Sequence, residues 1–190
     1  MKTLLLTLFL SVPLLLSAQK KEVLPKTVFN AKEAQDKLAY GNSTIRGVAV
    51  AREKGAHYAP PGTVVWLFPV TDYLKEYFKL RDKYKMSLNY RPVLSEEAFK
   101  HRIETKVGAN GEFVFERMKP GEYYIETYFD YTATGSAKKQ VGSTDYYNVY
   151  GGYLYSSPIY QNYKYNYTAS SLEQTRVKIK KDGEVKRVKL

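Results

Sequence analysis

The sequence contains no cysteine and only two histidines among its 190 residues. Without cysteine the chain has no disulfide, no thiol nucleophile and no thiolate metal ligand. A zinc site would need two further ligands besides His57 and His101, and no characteristic spacing of carboxylates suggests them, so we predict no metal site. Neither Gly-x-Ser-x-Gly nor a local Ser–His arrangement is present. These absences predict a protein that is not an enzyme, with no catalytic residues and no cofactor.

Long apolar runs are also lacking, apart from one at the N-terminus. Lys2, the apolar stretch 4–16 and the small residues Ser17 and Ala18 form the pattern of a secretory signal peptide spanning 1–18. The apolar stretch is shorter than the ~20 residues of a membrane span, although an uncleaved anchor is the alternative. We therefore predict no transmembrane segment after signal removal and an exported protein, either periplasmic, outer-membrane-associated or secreted. No cysteine follows the signal, which excludes a lipid anchor on cysteine.

Acidic residues are outnumbered, with 30 Lys and Arg against 19 Asp and Glu, and the net charge is +11. A basic chain suggests polyanionic partners, but export and the even spread of the charges make nucleic acid an unexpected partner. The densest basic run, 176–189, alternates with Val and Ile. That alternation favours the solvated face of an edge strand, where lysines discourage edge-to-edge pairing, over an anion-binding stripe.

What the sequence does contain is a series of strand patterns. We predict a polar leader over 19–42, with a short helix in AKEAQDKLAY, followed by one β-sandwich domain over 43–190. Within it, 72–100 changes to helical periodicity and is predicted as an insertion that covers one end or face of the sandwich. Asp72 is the predicted cap of its first helix, and Ser95 begins the second.

Three turn signals separate the strands. Asn110-Gly111 predicts a tight hairpin, because both residues tolerate positive φ. Pro120-Gly121 predicts a second turn, and Asp182-Gly183 predicts a closing hairpin between 174–181 and 184–190. Gly47 is a candidate bulge within the first strand of the domain.

These segments together resemble the carboxypeptidase regulatory-like domain, an exported accessory module. The resemblance lies in its Gly-x-x-Val-x-Leu, Thr-x-x-Gly-x-Phe-x-Phe and Pro-Gly-x-Tyr-x-Ile patterns. The matching residues are Gly47, Val50, Gly62, Val65, Leu67, Thr105, Gly111, Phe113, Phe115, Pro120, Gly121, Tyr123 and Ile125. All of them are structural. The resemblance implies an all-β, seven-stranded antiparallel Greek-key sandwich of transthyretin-like topology and a carbohydrate-binding-like β-sandwich. The insertion and the tyrosine-rich segment 132–171 depart from it.

Tyrosine is unusually abundant, with nine residues from Tyr146 to Tyr167. A tyrosine ring offers a flat apolar face and a hydroxyl at low entropic cost. Spacing by two predicts that Tyr153 shares a face with Tyr155, and that Tyr163, Tyr165 and Tyr167 share another. The segment is interpreted as a hairpin or loop whose rings pack on the sandwich, form a binding face or stay disordered. The candidate binding residues are Tyr153, Tyr155, Tyr160, Tyr163, Tyr165 and Tyr167.

The hypothesis from these observations is an exported, non-enzymatic accessory or binding module of the cell envelope that contacts a protein or glycan partner. Two alternatives remain open at this point. One is a small metal-dependent or hydrolytic enzyme on a transthyretin-like scaffold, although the Tyr-Arg-Gly-Ser terminus and His-x-His pair of such enzymes are missing here. The other is a structural subunit of an envelope assembly that uses strand edges.

Overall fold

The computed structural model describes residues 20–190, so the predicted signal peptide lies outside the described residues. Three helices occur, α1 Ala31–Leu38, α2 Asp72–Lys83 and α3 Glu96–Lys100, together with a 3-10 turn at Ala109–Gly111. The strands are β1 Lys21–Val23, β2 Ser43–Val48, β3 Val50–Ala51, β4 His57–Tyr58, β5 Val64–Pro69, β6 Tyr90–Pro92, β7 Ile103–Lys106, β8 Glu112–Met118, β9 Gly121–Tyr147, β10 Tyr153–Ile179 and β11 Val185–Lys189.

Seven of these strands form the two layers of a β-sandwich, which confirms the predicted all-β fold with short helical insertions. One sheet has the order β10-β9-β5-β7, and the other has the order β11-β2-β8. Small pairs, β1 with β6 and β3 with β4, flank them. The predicted antiparallel pattern fails at one place, because β11 runs parallel to β2.

The core lies between the two sheets and is rich in aromatic rings. Its fully buried side chains come from both layers, as strand alternation requires, and include Ile45, Leu67, Phe113 and Ile125. A Cβ on Gly47 would lie 2.2 Å from the ring of Phe113. Only a residue without a Cβ leaves room for that ring, which explains why glycine occupies position 47. The register shift in β2 lies between Ser43 and Ile45, so the predicted bulge at Gly47 is wrong.

Two predicted hairpins are connections between sheets. β7 and β8 flank Asn110-Gly111, but β7 belongs to the four-stranded sheet and β8 to the three-stranded one. Asp182-Gly183 likewise leads from β10 to β11 in the opposite layer. The positive φ expected of these turns is present, at 55° for Asn110 and 79° for Gly183. Local turn chemistry was therefore assigned correctly, and the partner strand was not.

The helical insertion covers the outer face of the four-stranded sheet, as predicted. Leu74 and Phe78 of α2 pack there against Phe68 and Tyr124 in a second apolar cluster. Thr71, and not Asp72, caps α2, because its hydroxyl accepts a hydrogen bond from the amide of Leu74 at 3.3 Å.

The leader is packed against the sandwich. α1 buries Ala34, and the ammonium of Lys37 donates to the carbonyl of Val70 at 2.7 Å. The Glu76 carboxylate accepts hydrogen bonds from both amide and hydroxyl of Thr27, at 2.8 and 2.5 Å. These bonds and one from the Lys26 amide lower the pKa of Glu76 to about 2, since they favour the charged form. The leader is thus tied to α2 as well as to the core.

Candidate functional site

The long hairpin of β9 and β10 extends beyond the sandwich. Each strand has 27 residues, but β5 pairs with β9 only over Tyr123–Thr127. We call 135–165 the ribbon, because within the described residues 20–190 β9 and β10 pair here with each other and with no other strand. The pairs from Gly135↔Tyr165 to Tyr146↔Tyr155 extend over about 35 Å at ~3.3 Å per residue.

One face of the ribbon continues the face that β10 turns toward the core. Val177 and Ile179 of β10 are buried in the sandwich, and side chains two residues apart share a face. Following β10 outward by twos leads to Tyr167, Tyr165, Tyr163 and Tyr155. We call these four residues the tyrosine face. Tyr167 still packs against the core, whereas Tyr163 and Tyr165 are 48% and 46% exposed.

Small residues lie opposite three of these rings. Tyr167 pairs with Ala133, Tyr165 with Gly135 and Tyr163 with Ala137. A Cβ built on Gly135 would lie 2.6 Å from the Tyr165 ring, so that ring lies directly over the glycine. The ring can therefore extend across the ribbon instead of standing upright beside a bulky neighbour.

The three rings form a continuous row. The centroids of Tyr163 and Tyr165 are 6.1 Å apart and those of Tyr165 and Tyr167 are 5.9 Å apart. At its inner end the row meets Tyr131, whose ring is stacked on His57 at 4.3 Å. Burial and the nearby Glu53 carboxylate raise the pKa of the Tyr131 phenol. The arrangement presents flat apolar surface and hydroxyl groups together, without a nucleophile or a charged pair.

The remaining candidate tyrosines are distributed differently from the prediction. A register shift separates Tyr153 from Tyr155. Tyr155 stacks on Tyr146 at 4.6 Å, while Tyr153 contacts Tyr147 edge-on at 5.9 Å. Because Tyr146 and Tyr147 are successive strand residues, the two pairs lie on opposite faces, and the predicted shared face of Tyr153 and Tyr155 is wrong.

Tyr160 also lies away from the tyrosine face. It pairs with Gln140 and lies three positions before Tyr163 on an uninterrupted strand, an odd offset that places it on the opposite face. The structure thus places Tyr163, Tyr165 and Tyr167 together as predicted, adds Tyr155 further along the same face, and puts Tyr160 on the reverse.

The small partners Ala133, Gly135 and Ala137 were missed by sequence reasoning. The signal was present as small residues spaced by two, in the same period as the tyrosines opposite them. Finding it requires the register of the hairpin, which aligns Gly135 with Tyr165.

The two histidines occupy separate environments. His57 lies against Tyr131, and His101 contacts the ring of Phe29 at 5.2 Å and the carbonyl of Glu97 at 2.8 Å. Within 20–190, no three His, Cys, Asp or Glu side chains form a group suited to a metal ion.

A second surface lies beside the insertion, on the outer face of the four-stranded sheet. It is a cleft of about 390 Å³ lined in part by Arg81, Lys85, Tyr84 and Tyr90. The guanidinium of Arg81 donates to the hydroxyl of Tyr124 at 2.7 Å, and that hydroxyl also lies 2.7 Å from Glu126. Burial beside this carboxylate raises the pKa of Tyr124. Because Glu126 offsets the charge of Arg81 through this network, the cleft is a weaker candidate than the tyrosine face.

Solved structures of similar fold are found for this chain, and one of them matches over most of its length. It is the crystal structure of a Pseudomonas aeruginosa protein named "putative carbohydrate binding protein". The match has a TM-score of 0.54 and 20% sequence identity, and it covers 88% of this chain and 99% of that chain. No family model matches the chain, and the search of curated proteins finds no match. The comparison therefore supports the β-sandwich fold.

Proposed function

We propose that this protein is an exported, non-enzymatic binding module of the cell envelope that holds a glycan chain on the tyrosine face. The row of rings over small partner residues is the observation that carries the proposal. Sugar rings have apolar C–H faces and hydroxyl edges, and tyrosine presents the matching combination of flat ring and hydroxyl donor.

The geometry favours an elongated ligand. Ring centroids follow one another at 5.9 and 6.1 Å, so successive units of a linear chain can each meet a ring. The rings lie opposite the small residues Ala133, Gly135 and Ala137, and Tyr165 lies over Gly135; an arrangement already present before the ligand arrives reduces the entropy lost on binding. No deep cavity is required, because the ligand lies along the ribbon.

Two further observations support the proposal. The fold neighbour from Pseudomonas aeruginosa carries a carbohydrate-binding name. The resemblance to the carboxypeptidase regulatory-like domain also implies an accessory module and not a catalytic one. Export rests on the signal-peptide pattern of 1–18.

The test is a glycan array followed by calorimetry on the oligosaccharides that bind. The double variant Tyr163→Ala/Tyr165→Ala removes the two exposed rings and leaves Tyr167, which contacts the core. Loss of an aromatic contact at the centre of an interface commonly costs more than ~1 kcal/mol, so we expect binding to weaken by at least about tenfold.

Tyr160→Ala is the matched control, because it removes one exposed tyrosine from the same strand on the opposite face. We expect it to bind like the unmodified protein. An array without any bound glycan, or equal affinity of the double variant and the control, would contradict the proposal.

A further inference from the structure

The end of the ribbon differs from the tyrosine face in exposing aromatic or aliphatic side chains on both faces and at its apex. We call 145–155 the tip. Tyr146 and Tyr155 stack on one of its faces, and Tyr147 and Tyr153 meet on the other. At the apex, Val149 and Tyr150 are 93% and 95% exposed, and Leu154 is also exposed.

The turn at the apex has a defined conformation. The side-chain oxygen of Asn148 accepts hydrogen bonds from the amides of Tyr150 and Gly152, at 2.9 and 2.8 Å. The amide of Asn148 in turn donates to the carbonyl of Gly152 at 2.8 Å. Gly151 supplies the positive φ, at 79°, that closes the turn. Val149 and Tyr150 are therefore held outward by a formed structure.

A convex tip of this shape restricts the possible partner. A second sheet or a sugar chain can cover one face of a ribbon, but it leaves the opposite face and the apex in water. A lipid interface surrounds whatever enters it and can cover both faces and the apex together. Tyrosine is the residue type that is enriched at membrane–water interfaces, where its ring is apolar and its hydroxyl stays hydrated.

We propose that the tip docks into the headgroup region of a lipid bilayer and holds the sandwich away from the membrane surface. Between Gln140 and Tyr163, the only charged residue is Asp145. The Asp145 carboxylate, at the base of the tip, sets the limit of insertion, and positive charge begins farther back, at Lys138, Lys139 and Lys164.

Docking is confined to the interface by the backbone. The ribbon has two strands, so both of its outer edges carry N–H and C=O groups without a strand partner, and these groups cannot enter hydrocarbon without a large cost. Within 20–190, no helix is long and apolar enough to cross a membrane.

Lys139 lies seven residues behind Tyr146, about 23 Å along the strand. Anionic lipid therefore strengthens binding only when the ribbon meets the bilayer at a slant.

The experiment is sedimentation of the protein with vesicles, prepared from phosphatidylethanolamine and phosphatidylglycerol at a 3:1 ratio or from phosphatidylcholine alone. We expect the unmodified protein to partition onto both, and a stronger partitioning onto the anionic vesicles at low salt would show that the ribbon meets the bilayer at a slant. Tyr150→Ser/Leu154→Ser removes two exposed apolar side chains, and we expect the partition coefficient to fall at least about tenfold. An unchanged thermal unfolding curve verifies that this variant is folded.

Tyr163→Ser/Tyr165→Ser is the matched control, because it changes two ribbon tyrosines outside the tip and should retain vesicle binding. A separate reporter, Tyr150→Trp, should show a blue-shifted emission and quenching by brominated acyl chains near the headgroups. Unmodified protein that remains in the supernatant with both vesicle types would overturn the proposal. Equal partitioning of the tip variant and the unmodified protein would overturn it as well. A doubled mass in solution that the tip variant abolishes would also overturn it, because a second copy would then be the occupant of the tip. None of these results depends on whether a glycan binds the tyrosine face.

Discussion

The two ends of β10 have the same pairing partner and opposite surroundings. Ile179, at one end, is 2% exposed between two sheets, whereas Ile159, on the same face of the same strand, is 47% exposed on the ribbon. Both pair with β9 residues, namely Gly121 and Gly142. Strand pairing alone thus does not distinguish the two ends; the presence of a second layer does.

This comparison explains why one end is scaffold and the other is available as the proposed binding surface. In the sandwich, burial of each large apolar side chain stabilises the fold by about 1.5–3 kcal/mol. On the ribbon, rings contact only each other and their cross-strand partners, which contribute about 0.2–1 kcal/mol per pair. A side chain that contributes little to folding can be used for contact with a ligand.

The largest expected effect compares the two isoleucines directly. Ile179→Ala should lower the free energy of unfolding by about 2–5 kcal/mol, because it leaves a cavity between the sheets. Ile159→Ala should change it by less than ~0.5 kcal/mol, as an exposed position normally does. Urea unfolding of both variants measures the difference. Similar losses at the two positions would show that the ribbon is buried in the protein as it exists in solution.

A second comparison uses glycines that each lie under an aromatic ring. Gly47→Ala should destabilise the fold by about 1–3 kcal/mol, since its Cβ would come within 2.2 Å of Phe113 in the packed core. Gly135→Ala should leave stability nearly unchanged, because the exposed Tyr165 ring can move away. It should nevertheless weaken glycan binding by displacing that ring. Unfolding curves and calorimetry together test both statements, and a large loss of stability in Gly135→Ala would contradict them.

The smallest effect concerns two hydroxyl groups. The hydroxyl of Tyr123 donates to the carbonyl of Lys119 at 2.8 Å, so Tyr123→Phe should cost about 1 kcal/mol. The hydroxyl of Tyr165 has no hydrogen-bond partner in the described part of the chain. Tyr165→Phe should therefore leave the free energy of unfolding unchanged, as measured by urea unfolding.

The Tyr123 comparison also has a pH dependence. Burial raises the pKa of Tyr123 from its ordinary value of 10.0 to about 12. The unfolded chain therefore loses this proton first, and stability falls as the pH rises from 10 to about 12. Tyr123→Phe should show a shallower decline over that window than the unmodified protein in urea unfolding at each pH. Parallel declines would exclude Tyr123 as the cause.

The sequence predicted the parts of the fold that depend on local periodicity and turn chemistry. The alternation around Phe113 and Phe115, the helical stripe of α2 and the positive φ of Asn110 all follow from neighbouring residues. Neighbouring residues do not show that Asn110-Gly111 crosses from one layer to the other, since the same turn can also close a hairpin. Strand partners are decided by non-local burial.

The tyrosine-rich segment shows the same limit. Spacing by two correctly placed Tyr163, Tyr165 and Tyr167 on one face. The register shift between Tyr153 and Tyr155 could not be predicted, because it depends on how the opposite strand reaches the turn. Proline is disfavoured inside a sheet because it lacks an N–H, yet Pro158 lies within β10. A two-stranded ribbon has free edges on both sides and can accommodate a residue without an N–H.

That proline has a consequence for how molecules behave at high concentration. Open edges on a long ribbon would allow copies to stack into fibrils through continuous backbone ladders. Pro158 offers no donor to such a ladder, and the irregularity between Ile159 and Tyr160 lies beside it. The proline, this irregularity, Lys138 and Lys164 together interrupt the regular edge that an added strand would need. The protein can thus expose a tyrosine-rich arm and remain dispersed.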